Sequence, residues 1–136
     1  MTDKISIKSA DNMRMVRSHT LIDLADGTYN LFRFPKFAFV DQVWLYITVP
    51  YSGGSAGAAT VGFVGNGESA DVDGFMDATQ AGARAAGMKL ATADAQPASK
   101  GKWFNEASGM LTITFAKSTD SVLVTGYVFA RYSVIV

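Results

Sequence analysis

The sequence predicts an all-β fold: a single-domain antiparallel β-sandwich of jelly-roll-like type. Several segments alternate apolar and polar residues with period two, as strands do when one of their faces is buried. Turns that contain glycine, aspartate or serine separate these segments at short intervals. No segment repeats apolar residues at helical spacing over three turns, so the crossover helices of an α/β fold are not predicted.

The length of the chain suits one domain. Of its 136 residues, 49% are hydrophobic and 18% are charged, a balance typical of a globular protein with a single core. The first twelve residues, MTDKISIKSADN, are mostly polar. We therefore expect a short polar N-terminal arm over residues 1–12 and one β-sandwich domain over residues 13–136.

The clearest strand runs from Phe39 to Val49. Its odd positions are apolar apart from Asp41, and we predict that they face the core. Trp44 and Tyr46 then lie on the opposite, aromatic and polar face of the strand. Across all the well-patterned strands, the predicted core consists of Phe39, Val43, Leu45, Ile47, Leu111, Ile113, Phe115, Val124 and Val128.

Other segments carry weaker or longer strand patterns. Further candidate strands are residues 13–24, 28–34 and 59–64. The apolar ending, residues 121–136, would span about 50 Å as one strand at about 3.3 Å per residue, so we expect a bend or bulge at Gly126. In the alanine-rich residues 78–98, interrupting glycines and a proline limit any helix to a short turn.

Charge and composition argue against several kinds of partner. Twelve basic residues balance twelve acidic ones without a dense basic block, so we expect no direct contact with nucleic acid. The sequence contains neither an apolar run long enough for a membrane helix nor a signal peptide, which predicts a soluble protein with no membrane partner. The absence of cysteine excludes disulfides and fits synthesis in a reducing cytoplasm.

The acidic residues within the stretch 65–87 raise the question of a metal site. With Gly74 at the sixth position of an EF-hand loop, Asp71 and Asp73 match positions three and five, but the first aspartate and the glutamate at position twelve are missing. We therefore predict no metal site and interpret these residues as turn-capping or solvated. Asp71, Asp73 and Asp77 remain candidates for contact with a neighbouring subunit.

No catalytic site is predicted. His19 is the only histidine, and no nucleophile motif accompanies it. The glycine-rich residues 62–67, GFVGNG, lack the lysine and the following helix of a phosphate-binding loop, and we interpret them as a strand that ends in an Asn66-Gly67 turn. We predict that the chain is not an enzyme and uses no cofactor.

Aromatic residues are the main indication of an interaction surface. The chain has nine Phe, five Tyr and two Trp. Trp44 with Tyr46, and Trp103 with Phe104, are able to stack on sugars or to bury against a protein partner. Packing within the protein is the simpler alternative for the same residues, and both interpretations stay open.

The order of segments resembles that of a family of viral proteins. An apolar strand ends in GFVGNGE at residues 62–68, ADVDGFMD follows at residues 70–77, and GKWF stands at residues 101–104. A threonine-alternating strand, residues 111–115, then precedes the apolar segment 122–136. This order resembles the small virion proteins of tailed bacteriophages, particularly the β-sandwich decoration or cement proteins of the capsid exterior.

The resemblance implies a structural virion protein that binds and stabilises the outer surface of a phage head. It implies the major capsid protein as partner, a homo-oligomer with a trimer favoured, synthesis in the host cytoplasm and a final location on the capsid surface. Two alternatives stay open: a tail or head-tail connector subunit, and a carbohydrate-binding jelly-roll module that uses Trp44, Tyr46 or Trp103.

Overall fold

Ten strands and one helix of a single turn make up the part of the chain described by the computed structural model, residues 13–91 and 101–135. The strands are β1 (Met13–Arg17), β2 (Leu21–Ile22), β3 (Gly27–Arg33), β4 (Ala38–Val49), β5 (Ala58–Val64), β6 (Asp71–Met76), β7 (Gly87–Leu90), β8 (Lys102–Phe104), β9 (Met110–Ala116) and β10 (Thr125–Val134). The helix α1 (Ala78–Ala81) lies between β6 and β7. The predicted arm, residues 1–12, lies outside the described residues.

The strands form two antiparallel sheets. Sheet A has the order β1-β10-β4-β7, with β2 also paired to β10 and β8 also paired to β4. Sheet B has the order β3-β9-β5-β6. Consecutive strands such as β3 and β4, or β9 and β10, lie in different sheets, so the chain crosses the sandwich repeatedly and encloses one core. The predicted all-β antiparallel sandwich is confirmed.

The core lies between the two sheets and contains eight of the nine predicted core residues. Val43, Leu45, Ile47, Leu111, Ile113, Phe115, Val124 and Val128 are each no more than 3% exposed. The rest of the core between the sheets is filled by aromatic rings that the strand pattern did not predict to be buried. Phe34 packs on Phe104 with 4.7 Å between ring centroids, and Phe63 meets Phe75 edge-on at 5.9 Å. Such tilted and edge-on contacts are the favoured geometries of buried rings.

The prediction for the two ends of β4 is wrong. Phe39, predicted to be a core residue, is only partly buried, and Val49 is 41% exposed. The residues that face the core near the start of the strand are Ala38 and Val40, both completely buried. The apolar face of β4 is therefore not carried by odd positions throughout.

Two β-bulges in β4 explain this change of face. Relative to β10, the strand has one extra residue at Asp41 and another at Thr48. Side chains alternate between the two faces of a strand, so the residues beyond each extra residue point to the face opposite to the one that the odd-position pattern predicts. Phe39 and Val49 consequently lie on the outside of sheet A. At the first bulge, Nε of Arg131 donates to both carboxylate oxygens of Asp41, at 3.0 and 3.1 Å.

The irregularity expected at Gly126 is present. The register between β10 and β4 shifts between Thr125 and Gly126. A Cβ atom on Gly126 would lie 2.2 Å from the carbonyl oxygen of Tyr46, so a larger residue would force the two strands apart. The strand β10 begins at Thr125 and continues through Gly126, so the long apolar ending consists of a connecting segment followed by a strand of ten residues.

The region after β6 holds one expected element and two unexpected ones. The helix α1 has only four residues, which agrees with the short turn predicted there. β7 and β8, which the alanine-rich sequence did not indicate, both pair with β4, opposite residues 44–47 and 38–40. In the part of the chain that the structure describes, they cover two stretches along the same edge of β4, one on either side of Asp41.

One buried carboxylate, that of Asp120, joins three segments that are distant in sequence. Its two oxygens accept hydrogen bonds from the backbone N–H groups of Gly54 and Gly57, both at 2.9 Å. Arg84 donates to the same carboxylate and also to the carbonyl oxygen of Gly54. The hydrogen bond from Arg84 is the main reason why the pKa of Asp120 lies below its ordinary value.

Truncation of the core tests the assignment of faces. We expect Leu45→Ala or Ile113→Ala to lower the free energy of unfolding by about 2 to 5 kcal/mol, because each leaves a cavity between the sheets. Val49→Ala, on the exposed end of β4, is the matched control and should cost less than about 1 kcal/mol. Denaturant unfolding followed by circular dichroism measures all three, and equally small losses would contradict the assignment.

Acid unfolding tests the role of Asp120. Because the folded state lowers the pKa of this carboxyl, its stabilising effect is complete above the ordinary value of about 3.9 and is lost as the pH falls through the folded value. We expect Asp120→Asn to melt at a lower temperature than the wild type near neutral pH, and the difference to shrink in acid. Melting curves recorded at a series of pH values measure it, and a difference that stays constant would contradict the role.

Candidate interaction surface

Sheet A presents an aromatic and methionine-rich surface to the outside, which we term the outer face of sheet A. Side chains that lie opposite one another in the strand register share a face, so the pairing of β10 with its neighbours identifies the members. The apolar and aromatic ones are Met13, Met15, Ile22, Phe39, Trp44, Tyr46, Val49, Met88, Leu90, Trp103, Tyr127 and Phe129.

Aromatic rings and arginines make contact across the centre of this face. Tyr46 and Tyr127 pack edge-on with 5.6 Å between ring centroids. The guanidinium of Arg17 lies over the Tyr127 ring at 5.1 Å, and that of Arg131 lies over the Trp44 ring at 5.6 Å. Both cations are thus engaged by groups of the face itself, Arg131 also by the carboxylate described above. The face therefore offers much apolar surface and little unpaired charge.

A groove of about 280 Å³ lies within this surface, lined by Met15, Trp44, Met88 and Phe129. The two methionines are 58% and 55% exposed, and their unbranched thioether side chains adapt readily to a partner's shape. All four lining side chains are apolar, so the groove suits an apolar protein side chain. A sugar, whose hydroxyl groups need hydrogen-bond partners, fits it poorly.

The two outer faces of the sandwich differ in chemistry. Seven of the ten large hydrophobic side chains exposed in the described chain lie on the outer face of sheet A, and Val72 is the one that lies on sheet B. The outside of sheet B is instead rich in threonine: Thr28 and Thr114 face each other and share a hydrogen bond of 2.8 Å, with Thr60 on the next strand. Exposed apolar surface is therefore concentrated on one side.

The structure brings three of the predicted interface residues together on the outer face of sheet A and buries a fourth in the core. Trp44, Tyr46 and Trp103 lie on the outer face of sheet A, and Trp103 is 40% exposed at its edge. The prediction for Phe104 is wrong. Its ring is completely buried and meets the Phe63 ring edge-on at 6.0 Å, because adjacent residues of a strand point to opposite faces.

The three predicted aspartates lie elsewhere, in and next to β6 of sheet B. Asp71 and Asp73 belong to this strand, so the loop expected there is wrong. A hydrogen bond with Asp71 is the main reason why the pKa of Asp73 is raised. Asp77 caps α1: its carboxylate accepts from the Gln80 backbone N–H at 2.8 Å, while the Gln80 side chain accepts from the Asp77 N–H at 3.1 Å.

The fourth acidic residue of the stretch, Glu68, also has a structural partner. It follows the Asn66-Gly67 turn, which is confirmed by the left-handed backbone of both residues, with φ of 61° and 68°. Glu68 accepts hydrogen bonds from the Asn66 side chain at 2.6 Å and from the Lys102 ammonium at 2.7 Å. Asn66 also donates to the backbone carbonyl of Trp103 at 3.1 Å, so the turn ties β5 to β8.

Neither a metal cluster nor a membrane helix is found in the described residues. No three His, Cys, Asp or Glu side chains among residues 13–91 and 101–135 are grouped so that they could hold a metal ion. Over the same residues, no helix has the length and apolar character needed to cross a membrane.

Sequence reasoning missed several members of the outer face of sheet A. Met88 and Leu90 lie on β7, a four-residue strand within an alanine-rich segment that showed no clear alternation. Met15 lies on β1, within the candidate strand of residues 13–24, whose pattern is too weak to indicate which of its side chains face outward. Phe129 lies on β10, which is apolar on both faces, so the pattern alone did not decide which side is buried.

Comparisons with known proteins bear on the fold. A scan of protein-family models and a search of curated proteins find no match to this chain. Among solved structures, it is similar to a chain in the acidic stable capsid structure of Helicobacter pylori bacteriophage KHP30, with 16% identity over 89% of this chain and 86% of that chain and a TM-score of 0.63. It is also similar to a chain of the cyanophage Pam1 capsid asymmetric unit, with 14% identity over 98% and 94% of the two chains and a TM-score of 0.69.

This chain has the fold of chains found in phage capsids. The likeness extends over most of both chains in each comparison, so it concerns the whole sandwich rather than one hairpin. The resemblance to phage virion proteins that the sequence suggested is thereby confirmed at the level of the fold.

Removal of divalent metal tests the interpretation of the acidic residues. Because Glu68 and Asp77 bind groups of the protein, and Asp71 bonds with Asp73, we expect EDTA to leave the melting temperature unchanged. Differential scanning fluorimetry with EDTA, and with calcium added back, measures this. A large drop in EDTA that calcium reverses would overturn the interpretation.

Proposed function

We propose that this chain is a structural virion protein that binds and stabilises the outer surface of a phage head as a decoration or cement protein. The observation that carries the proposal is the fold, which this chain shares over most of its length with chains of two phage capsid structures. Both likenesses are to capsids, which favours a head protein over the tail or connector alternative. We further propose that the protein is made in the host cytoplasm and ends on the capsid surface.

The chemistry of the described residues supports a role in binding rather than in catalysis. Each acidic residue of the stretch that prompted the question of a metal or catalytic site is used in a turn, a helix cap or a carboxyl pair. The exposed surface instead offers an extended apolar and aromatic face. Such a face is typical of a surface that contacts other proteins. We propose that the chain is not an enzyme.

The proposed partners are the major capsid protein and other copies of this chain. The resemblance to decoration proteins supports a homo-oligomer, with a trimer favoured over a dimer. In the proposed arrangement, the loops and the arm, residues 1–12, contact the shell, and direct contact with nucleic acid or membrane is not part of the function. The carbohydrate-binding alternative is less well supported, because the groove beside Trp44 is lined by apolar side chains.

Addition of the purified protein to capsids that lack it tests the proposal. We expect saturable binding, measured by co-sedimentation of labelled protein, together with a higher melting temperature of the decorated capsids. A chain without residues 1–12 should bind more weakly if the arm contacts the shell. Absence of saturable binding by the full chain would contradict the proposal that it is a decoration protein.

A further inference from the structure

We infer that the outer face of sheet A is the surface through which copies of this chain contact one another. The inference deepens the proposed function and rests on its homo-oligomeric state, because it names the subunit interface. It starts from the concentration of exposed apolar side chains on one face of the sandwich, around the groove lined by Met15, Trp44, Met88 and Phe129.

This face requires a partner that is present before any shell is reached. A protein that adds to an existing capsid first exists free in solution, where large contiguous apolar patches favour association. If the capsid covered the face, the face would stay exposed to water until the protein bound the capsid. Cover supplied by other copies is available as soon as the chain has folded.

The size of the face matches an interface between subunits. Four strands about 4.8 Å apart make it roughly 19 Å wide, and the eight residue steps of β10 from Thr125 to Ser133 make it roughly 26 Å long. This corresponds to roughly 500 Å² in plan, and protruding side chains add to the accessible area. A stable protein–protein interface buries about 800 Å² on each partner, so such a contact would use the whole face with its protruding side chains.

The charges of the face also favour another copy of the chain. Arg17 lies on the Tyr127 ring, and Arg131 is held by Asp41 and lies on the Trp44 ring. Among the described residues, the Arg17 guanidinium keeps its charge on the ring, but the face presents no cluster of like charges that would select an oppositely charged partner. A mainly apolar surface with few charges is typical of contacts between identical subunits, whose interfaces are more apolar than those of transient partners.

Single cysteines provide the test, because the natural chain has none. Met88→Cys and Met15→Cys place a thiol on the outer face of sheet A, at side chains exposed enough that folding should not change. Val72→Cys, at a side chain 46% exposed on sheet B, is the matched control. Each full-length variant is treated with a short bismaleimide, both in solution at tens of micromolar and after addition to capsids that lack the protein.

We expect the two face variants to form covalent multimers of the 14.5 kDa chain in solution as well as after addition to capsids, and Val72→Cys to form no cross-links in either condition. In parallel, Met88→Lys should shift the mass measured by light scattering toward that of the monomer wherever the wild type is oligomeric, whereas Val72→Lys should not. If the face variants form multimers in solution but the protein does not bind capsids, the result supports this interface between copies. The same result contradicts the proposal that the protein is a decoration protein.

Other outcomes would overturn the inference. Saturable capsid binding without cross-links between copies would do so while leaving the decoration proposal intact. Cross-links from Met88→Cys to a capsid protein alone would mean that the shell covers the face. If the protein stays monomeric and deletion of residues 1–12 increases maleimide labelling of Met88→Cys, the arm is the cover and the inference is wrong.

Discussion

The antiparallel pairing of β4 with β10 is the constraint on which the rest of the structure depends. These two strands form the middle of sheet A, and β1, β2, β7 and β8 all pair with one or the other. The pairing stays continuous while β4 accommodates extra residues at Asp41 and Thr48. Each bulge decides which side chains of β4 face the core, so the composition of both faces of sheet A follows from this ladder.

The outcome is a sandwich with chemically unequal sides. Aromatic and methionine side chains cover the outside of sheet A, whereas threonines that pair across strands cover much of the outside of sheet B. Apart from the pair of Arg131 with Asp41 at the first bulge of β4, the polar interactions that hold the loops lie away from the apolar face. The Asp120 carboxylate fixes loops at one place, and the Asn66 turn with Glu68 and Lys102 fixes another. The apolar face is left free of such roles and available for contact.

The proposed function is based on the fold, and the proposed interface is based on the chemical difference between the two outer faces. The proposed virion role rests on a fold shared with chains of phage capsids, and the proposed interface rests on the one-sided apolar face. The acidic residues of the stretch 65–87 contribute to folding: Glu68 binds Lys102, and Asp77 caps α1. An arrangement in which polar groups stabilise the sandwich and the apolar face makes contacts suits a structural component.

The sequence by itself determined the β-sandwich, most of its core, the Asn66-Gly67 turn and the irregularity at Gly126, because period-two alternation and turn residues are local signals. Only the tertiary structure decided which strands are neighbours and where β4 bulges. Asp41 looked like an interruption of one face, but a bulge is defined relative to the partner strand, which a single segment does not reveal. For the same reason Phe39 was assigned to the wrong side. Phe104 was assigned to the surface beside Trp103 because β8, in which the two side chains point to opposite faces, was not predicted. The outer face of sheet A, assembled from β1, β2, β4, β7, β8 and β10, emerged only from the pairing of these strands.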